Sequence, residues 1–195
     1  MNRDTALFDS NRVRPWPGSA PAGAEEVLDL LISGQSTVRC LLARYRALCE
    51  RRQSGNDAQR GGLARRLCAE LAVQLAVEDE VFYPALRAAM HDASLIDVAE
   101  VEHECLRALT SRVVEMAPDD PMFDARVLVI GELFELHLAR EAHELHPAAM
   151  RSPLDFHDIA MQLMQRRDDL LAELADGHGL RFENEEADPV GEPPR

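Results

Sequence analysis

The chain contains no lysine. All 21 basic residues are arginine, set against 35 acidic ones, for a formal charge of −14 over 195 residues. That absence excludes a lysine nucleophile, a lysine Schiff base and the lysine of a phosphate-binding loop. So acidic a chain has no basic face with which to neutralise phosphates, and nucleic acid is not an expected partner. No run of about 18 apolar residues occurs, so no membrane span is expected. The opening stretch MNRDTALFDSNRVRPWPG lacks the continuous apolar segment of a secretory leader, and the expectation is a cytoplasmic protein. Aromatic residues make up 5% of the chain, and glycine and proline are concentrated outside its middle, which favours helices over a sandwich or barrel. Cys40, Cys49, Cys68 and Cys105 form no CxxC pair and read as reduced thiols, mostly buried in helices.

Hydrophobic residues are 46% of the chain, enough for a substantial core in a single domain. Residues 1–22 are polar and punctuated by Pro15, Pro17 and Pro21, and read as an irregular arm whose Trp16 docks on the helices. Residues 175–195 read as an acidic, disordered tail. No internal repeat is visible.

Between arm and tail, over 23–174, apolar residues recur at helical spacing. A first helix spans 24–52. A second, from about 58 to 90, carries Pro84 inside it, where a kink or local loss of hydrogen bonding is expected. A third starts near Ser94 and stops before Pro118. Asp119 or Asp120 is expected to cap the fourth, with Pro121 in its first turn. Ser152-Pro153 starts a fifth, shorter helix to about Leu174. Short connections between long amphipathic helices imply an all-α fold: an antiparallel up-down-up-down four-helix bundle with an extra C-terminal helix packed along one side or over it as a lid.

Polar residues interrupt the apolar stripes. Gln35, Gln74, Glu78, His103, His137 and Glu141 each stand three, four or seven residues from inward apolar positions, so they face the core. One inward histidine, or one glutamine, is ordinarily a hydrogen-bonded core residue. Two inward carboxylates at one level are different, because each costs several kcal/mol to bury unpaired and the two repel. A divalent cation removes that cost; a protonated Glu–His network is the alternative. No nucleophilic triad and no glycine-rich phosphate loop is discernible.

Four stretches carry a family likeness: VQLAVEDEVFYPAL (73–86), AEVEHE (99–104), PDDPMFDARVLVIGEL (118–133) and HLAREAHELHP (137–147). Over roughly 24–150 the chain resembles the bacterial hemerythrin-like HHE cation-binding domains. The resemblance implies a site for two irons bridged by the glutamates of two HxxxE pairs, with Glu78, His103, His137 and Glu141 at ligand positions. The chain departs from the pattern where Gln35 and Gln74 stand in place of two histidines and Gly34 in place of an aspartate. Both lost histidines would serve the same iron. What the resemblance then leaves is one divalent metal ion, iron favoured with zinc or manganese as alternatives, held by two histidines and two carboxylates. Gln35 and Gln74 would hydrogen-bond the carboxylates and fix them. Reversible dioxygen carriage in the diiron manner is not expected. The implied role is metal, oxygen or redox sensing or handling, with a non-enzyme favoured; the alternatives are a metal-free bundle serving as an interaction or structural module, and a weak oxidase or peroxide-handling enzyme using one iron with an open position. A homodimer is compatible with either reading. His143 and His146 are expected at the surface or an interface, Glu80 and Glu144 in solvent, and Tyr83 in packing, with a hydroxyl lent to the site as the alternative; His157 and His178 are incidental.

Overall fold

The computed structural model describes residues 21–50 and 57–176. The expected N-terminal arm with Trp16, and the acidic tail, lie outside these residues apart from a residue or two at their inner ends. The described elements are α1 (Ala24–Glu50), α2 (Asp57–Val77), a π turn (Glu78–Phe82), α3 (Tyr83–Ala89), α4 (Ser94–Glu115), α5 (Phe123–Arg140), a second π turn (Glu141–Leu145), α6 (His146–Arg151) and α7 (Phe156–Ala175). No described helix is long and apolar enough to cross a membrane.

The four long helices close into a ring: α1 packs on α2, α2 on α4, α4 on α5 and α5 on α1. The expected four-helix bundle is thus what the chain forms. The fifth helix of the sequence reading is α7, which lies along α1 and α2. Ile159, Leu163 and Leu170 are its apolar anchors.

The local starts differ from expectation. α5 begins at Phe123, not at Pro121. Asp120 instead closes the preceding turn, its carboxylate accepting from the Met122 N–H at 2.7 Å and its carbonyl from the Phe123 N–H at 3.0 Å. α7 begins at Phe156, past Ser152-Pro153, because Asp155 is the residue whose carboxylate caps the helix by accepting from Asp158 N–H at 3.1 Å. Among the cysteines only Cys68 is buried, while Cys40 and Cys105 are exposed, so the expectation of mostly buried thiols fails.

Pro84 and Pro147 explain the two π turns. A proline in mid-helix cannot donate to the carbonyl four residues back, and its ring collides with that carbonyl. Here the backbone widens just ahead of each proline: the Tyr83 N–H reaches the Glu78 carbonyl and the His146 N–H reaches the Glu141 carbonyl. Each bond spans five residues rather than four. The prolines then sit in the first turn of α3 and α6, where no N–H is required.

These breaks also expose a relation between the two halves that the residue string hides. In α2, Gln74 is followed by Glu78, which opens a π turn ending in Tyr83-Pro84. In α5, His137 is followed by Glu141, which opens a π turn ending in His146-Pro147. The preceding helices match in the same way, Gln35 of α1 answering to His103 of α4. The helix pair α1–α2 is therefore the counterpart of α4–α5.

Two apolar clusters fill the bundle. One contains Val27, Leu31, Val77, Phe82, Leu86, Ile96, Leu145 and Phe156; the other contains Val38, Leu42, Tyr45, Leu67, Leu71, Leu106, Ile130 and Phe134. A polar layer separates them.

Candidate metal centre

That layer consists of Gln35, Gln74, Glu78, His103, His137 and Glu141, all buried. The structure brings together all six residues singled out from the sequence. They come from α1, α2, α4, α5 and the two π turns, and each reaches the layer from the phase its apolar neighbours impose.

The histidines face each other. Their Nε2 atoms are 3.2 Å apart. His103 Nδ1 is 2.7 Å from Asp79 Oδ1, and His137 Nδ1 is 3.0 Å from Glu102 Oε2. A carboxylate only accepts, so each Nδ1 carries a hydrogen, and Nε2 is the atom each ring can offer a cation once its own proton is given up. The supporting carboxylates are themselves held. Arg107 Nη1 donates to Asp79 Oδ2 at 3.0 Å, and Arg140 donates to Glu102. Two arginine–carboxylate–imidazole chains thus converge on one point.

Glu78 completes that point. Its Oε2 lies 3.4 Å from His103 Nε2 and 3.9 Å from His137 Nε2, and it is buried without a hydrogen-bond donor. Glu78, His103 and His137 each offer a ligand atom within 4.8 Å of the others. Glu141 Oε2 is 3.5 Å from His137 Nε2. Its other oxygen, Oε1, accepts from the Tyr83 hydroxyl at 2.9 Å. Tyr83 therefore belongs to the layer as well as to the packing, its ring stacked on His103 at 5.2 Å between centroids.

The glutamines occupy the other side. Gln35 Nε2 donates to Glu141 Oε2 at 2.7 Å and to Glu78 Oε1 at 3.3 Å, bridging the two carboxylates. Gln74 Nε2 donates to the same Glu78 oxygen. Amide hydrogens here do what positive charge would otherwise do for these oxygens.

The glutamine side lacks more than two imidazoles. The counterpart of Glu102, which precedes His103, is Gly34, which precedes Gln35. The counterpart of Asp79, which follows Glu78, is Ala142, which follows Glu141. Both supporting carboxylates are missing along with both histidines. A side chain at Gly34 would place its Cβ 1.8 Å from Gln74 Oε1, so the glutamine amide fills the space that glycine leaves.

Electrostatics match this division. Burial pushes the Glu78 carboxyl up, but His103 and His137 outweigh it and hold Glu78 well below the usual carboxylate range. Burial and the Glu78 charge push Glu141 up to about 7, against the pull of His137, His103 and the Tyr83 hydroxyl. Burial pushes His137 down, yet Glu141, Glu102 and Glu78 outweigh it and raise it to about 10; His103 is raised against the same penalty by Asp79 and Glu78. With no cation bound, protons neutralise the layer.

The donor set fits a cation. Two imidazole Nε2 atoms and one ionised carboxylate converging from different helices, each anchored by a further hydrogen bond, suit a first-row divalent metal that displaces the imidazole protons. Oε2 of Glu78 is the unpartnered atom of that set.

The sequence reading missed Asp79, Glu102, Arg107 and Arg140. The available signal was adjacency, since Asp79 follows Glu78 and Glu102 precedes His103. It also misplaced His146, which is buried with an unpartnered Nε2; burial lowers its pKa to about 4. The π turn carries it back from the outer face that α-helical spacing assigned it. His143, Glu80 and Glu144 are exposed, as expected.

Fold and site together define a helical bundle built around a buried cation-binding layer. The hemerythrin HHE cation-binding domain matches residues 28–149, and the chain belongs to that family. Its fold is similar to the crystal structure of a hemerythrin HHE cation binding domain-containing protein, the Rv2633c homolog from Mycobacterium kansasii. The TM-score is 0.57 and the identity 23%, over 75% of this chain and 90% of that one. No curated protein matches the chain significantly.

Proposed function

We propose that the chain binds one divalent cation, with Glu78, His103 and His137 as ligands and Glu141 closing the set. Iron is favoured; zinc and manganese suit the same donors. The observation that carries this reading is the convergence of two imidazole Nε2 atoms and an unpartnered carboxylate oxygen on one buried point. A bound cation supplies Lewis acidity, and with iron a one-electron couple. The protein's own groups hold the imidazole hydrogens on Nδ1, keep Glu78 ionised, and place the Tyr83 hydroxyl against Glu141. We place the protein in the cytoplasm, in metal, oxygen or redox sensing or handling rather than in turnover.

The second reading is a metal-free interaction module, and the Gln35 bridge between the two glutamates favours it. Elemental analysis of protein purified without a histidine tag, before and after anaerobic Fe2+ loading, separates the two. One tightly held metal per chain, lost in His103→Ala and His137→Ala, is the expected result. Two tightly held irons would overturn the one-cation site, and none would leave the module.

A further inference from the structure

The layer has one loose thread, Gln74 Oε1. It is buried and has no hydrogen-bond partner, although its own amide nitrogen serves Glu78 and the Leu31 carbonyl. The point where a Gly34 Cβ would stand lies 1.8 Å from this oxygen and 2.9 Å from Nη1 of Arg167. Arg167 belongs to α7, outside the four-helix ring. Its other contact is Glu70 of α2, with Nη2 and Oε2 3.8 Å apart. A guanidinium from the extra helix therefore stands at the edge of the metal layer, beside an acceptor in need of a donor.

The comparison between the halves gives that position meaning. On the histidine side, Arg140 holds Glu102, and Glu102 holds His137. On the glutamine side the counterpart of Glu102 is Gly34, and the counterpart of His137 is Gln74. The counterpart of Arg140 itself is Val77, but Arg167 stands beside the space that a Gly34 side chain would fill, and the Gln74 carbonyl enters that space.

We propose that Arg167 is a positioning residue: it turns the Gln74 amide so that Oε1 faces α7 and Nε2 faces Glu78. Rotating the amide by half a turn would put a carbonyl oxygen against the Glu78 carboxylate, and a positive charge on the α7 side opposes that rotation. With Nε2 fixed on Oε1 of Glu78, the remaining oxygen is left for the cation. The same charge disfavours a second cation on the glutamine side. The proposal rests on the one-cation reading, and it gives α7 a part in the site.

The test uses the full chain in two measurements. In metal-free, 15N-labelled protein, the Gln74 side-chain amide is assigned by its disappearance in Gln74→Leu, and its exchange with water is followed. Arg167→Met should speed that exchange by about tenfold or more, with helical circular dichroism unchanged. Co2+ binding is then measured by chelator competition: Arg167→Met should weaken it by about tenfold, while Arg167→Lys stays near wild type. Arg167→Gln, which keeps the polar head without the charge, replaces Arg167→Met if the latter does not fold. Unchanged amide exchange together with unchanged Co2+ affinity would overturn the proposal. A wild-type chain that takes up no Co2+ would sink the one-cation reading instead, and amide exchange would then decide the role of Arg167 alone.

Discussion

Replacing Glu102 with glutamine changes one charge and little shape. The amide oxygen can still accept from His137 Nδ1, now 3.0 Å from the carboxylate, so the imidazole keeps its orientation. What is lost is the ionic partner of both His137 and Arg140. A hydrogen bond to a charged group contributes about 1.5–3 kcal/mol and a neutral one about 0.5–1.5, so the ligand loses roughly 1–1.5 kcal/mol of support. That corresponds to about tenfold in affinity, at the lower end of the roughly 10–100-fold known for groups that orient metal ligands. Protons complicate the readout in a useful direction. His137 is raised to about 10 partly by Glu102, so at neutral pH the cation must displace a proton from it. Glu102→Gln lowers this proton affinity too, which hides part of the loss near pH 7. The deficit should therefore be larger at about pH 9, where less of the imidazole is protonated. Asp79→Asn should behave likewise through His103. On the one-cation reading both imidazoles share the ion, so the double variant should fall short of the summed losses. Co2+ titration against a competing chelator at both pH values measures all of this. Wild-type affinity in both variants at both pH values would refute the reasoning. So would a loss in Glu102→Gln as large as that of His137→Ala, since Glu102 would then be a ligand rather than its support.

The metal-free protein should lose stability in alkali: His137 is raised from about 6.5 to about 10, so its contribution is complete below the lower value and gone above the higher one. Thermal melts of metal-free and loaded protein should therefore diverge as pH rises, and parallel curves would contradict this. His146, lowered to about 4, stays neutral in the fold where the unfolded chain takes a proton, so it costs stability as pH falls from about 6.5 to 4. His146→Phe should flatten that acid limb and, by removing an unpartnered nitrogen, should not destabilise at neutral pH; a steeper limb in denaturant melts would count against it. Gln35→His with Gln74→His should leave capacity near one metal per chain. Adding Gly34→Asp and Ala142→Asp should raise it toward two by elemental analysis, and two metals in the double variant would show that the carboxylates are dispensable.

How much of this was legible follows from where each residue lies along its helix. Gln35, Gln74, Glu78, His103, His137 and Glu141 all precede the π turns or open them, so ordinary α-helical spacing from the apolar stripe finds their inward phase. His146 lies beyond such a turn, where the same spacing points to the wrong side; Tyr83 lies beyond one too, but its place in the FYP element gave it packing and a hydroxyl within reach of the site. Asp79 and Glu102 stand about 100° round the helix from their inward neighbours, on flanks that meet an adjacent helix. A stripe analysis cannot separate such a flank from a solvated face. The helix starts at Phe123 and Phe156 were missed because Asp120 and Asp155 do different local work, one closing a turn and the other capping a helix. The kinship of the two halves stayed hidden because little identity survives between them beyond a glutamate and a proline in matching places.

The two π turns work as a change of gear. Above each of them the helix presents one set of residues to the centre of the bundle; below it, the added residue shifts the set by most of a step. Replacing Pro84 or Pro147 by a residue that can donate, with the residue count unchanged, would let the finer pitch return. It would swing everything downstream about 100° round the axis, turning Tyr83 or His146 out and bringing a neighbour in. Deleting one residue of the turn at the same time would cancel that swing, because each wide turn holds one residue more than an α-helical turn. The proline and the extra residue thus act as a pair that sets which side chains floor the buried layer, while Glu78, His103, His137 and Glu141 keep their places above it.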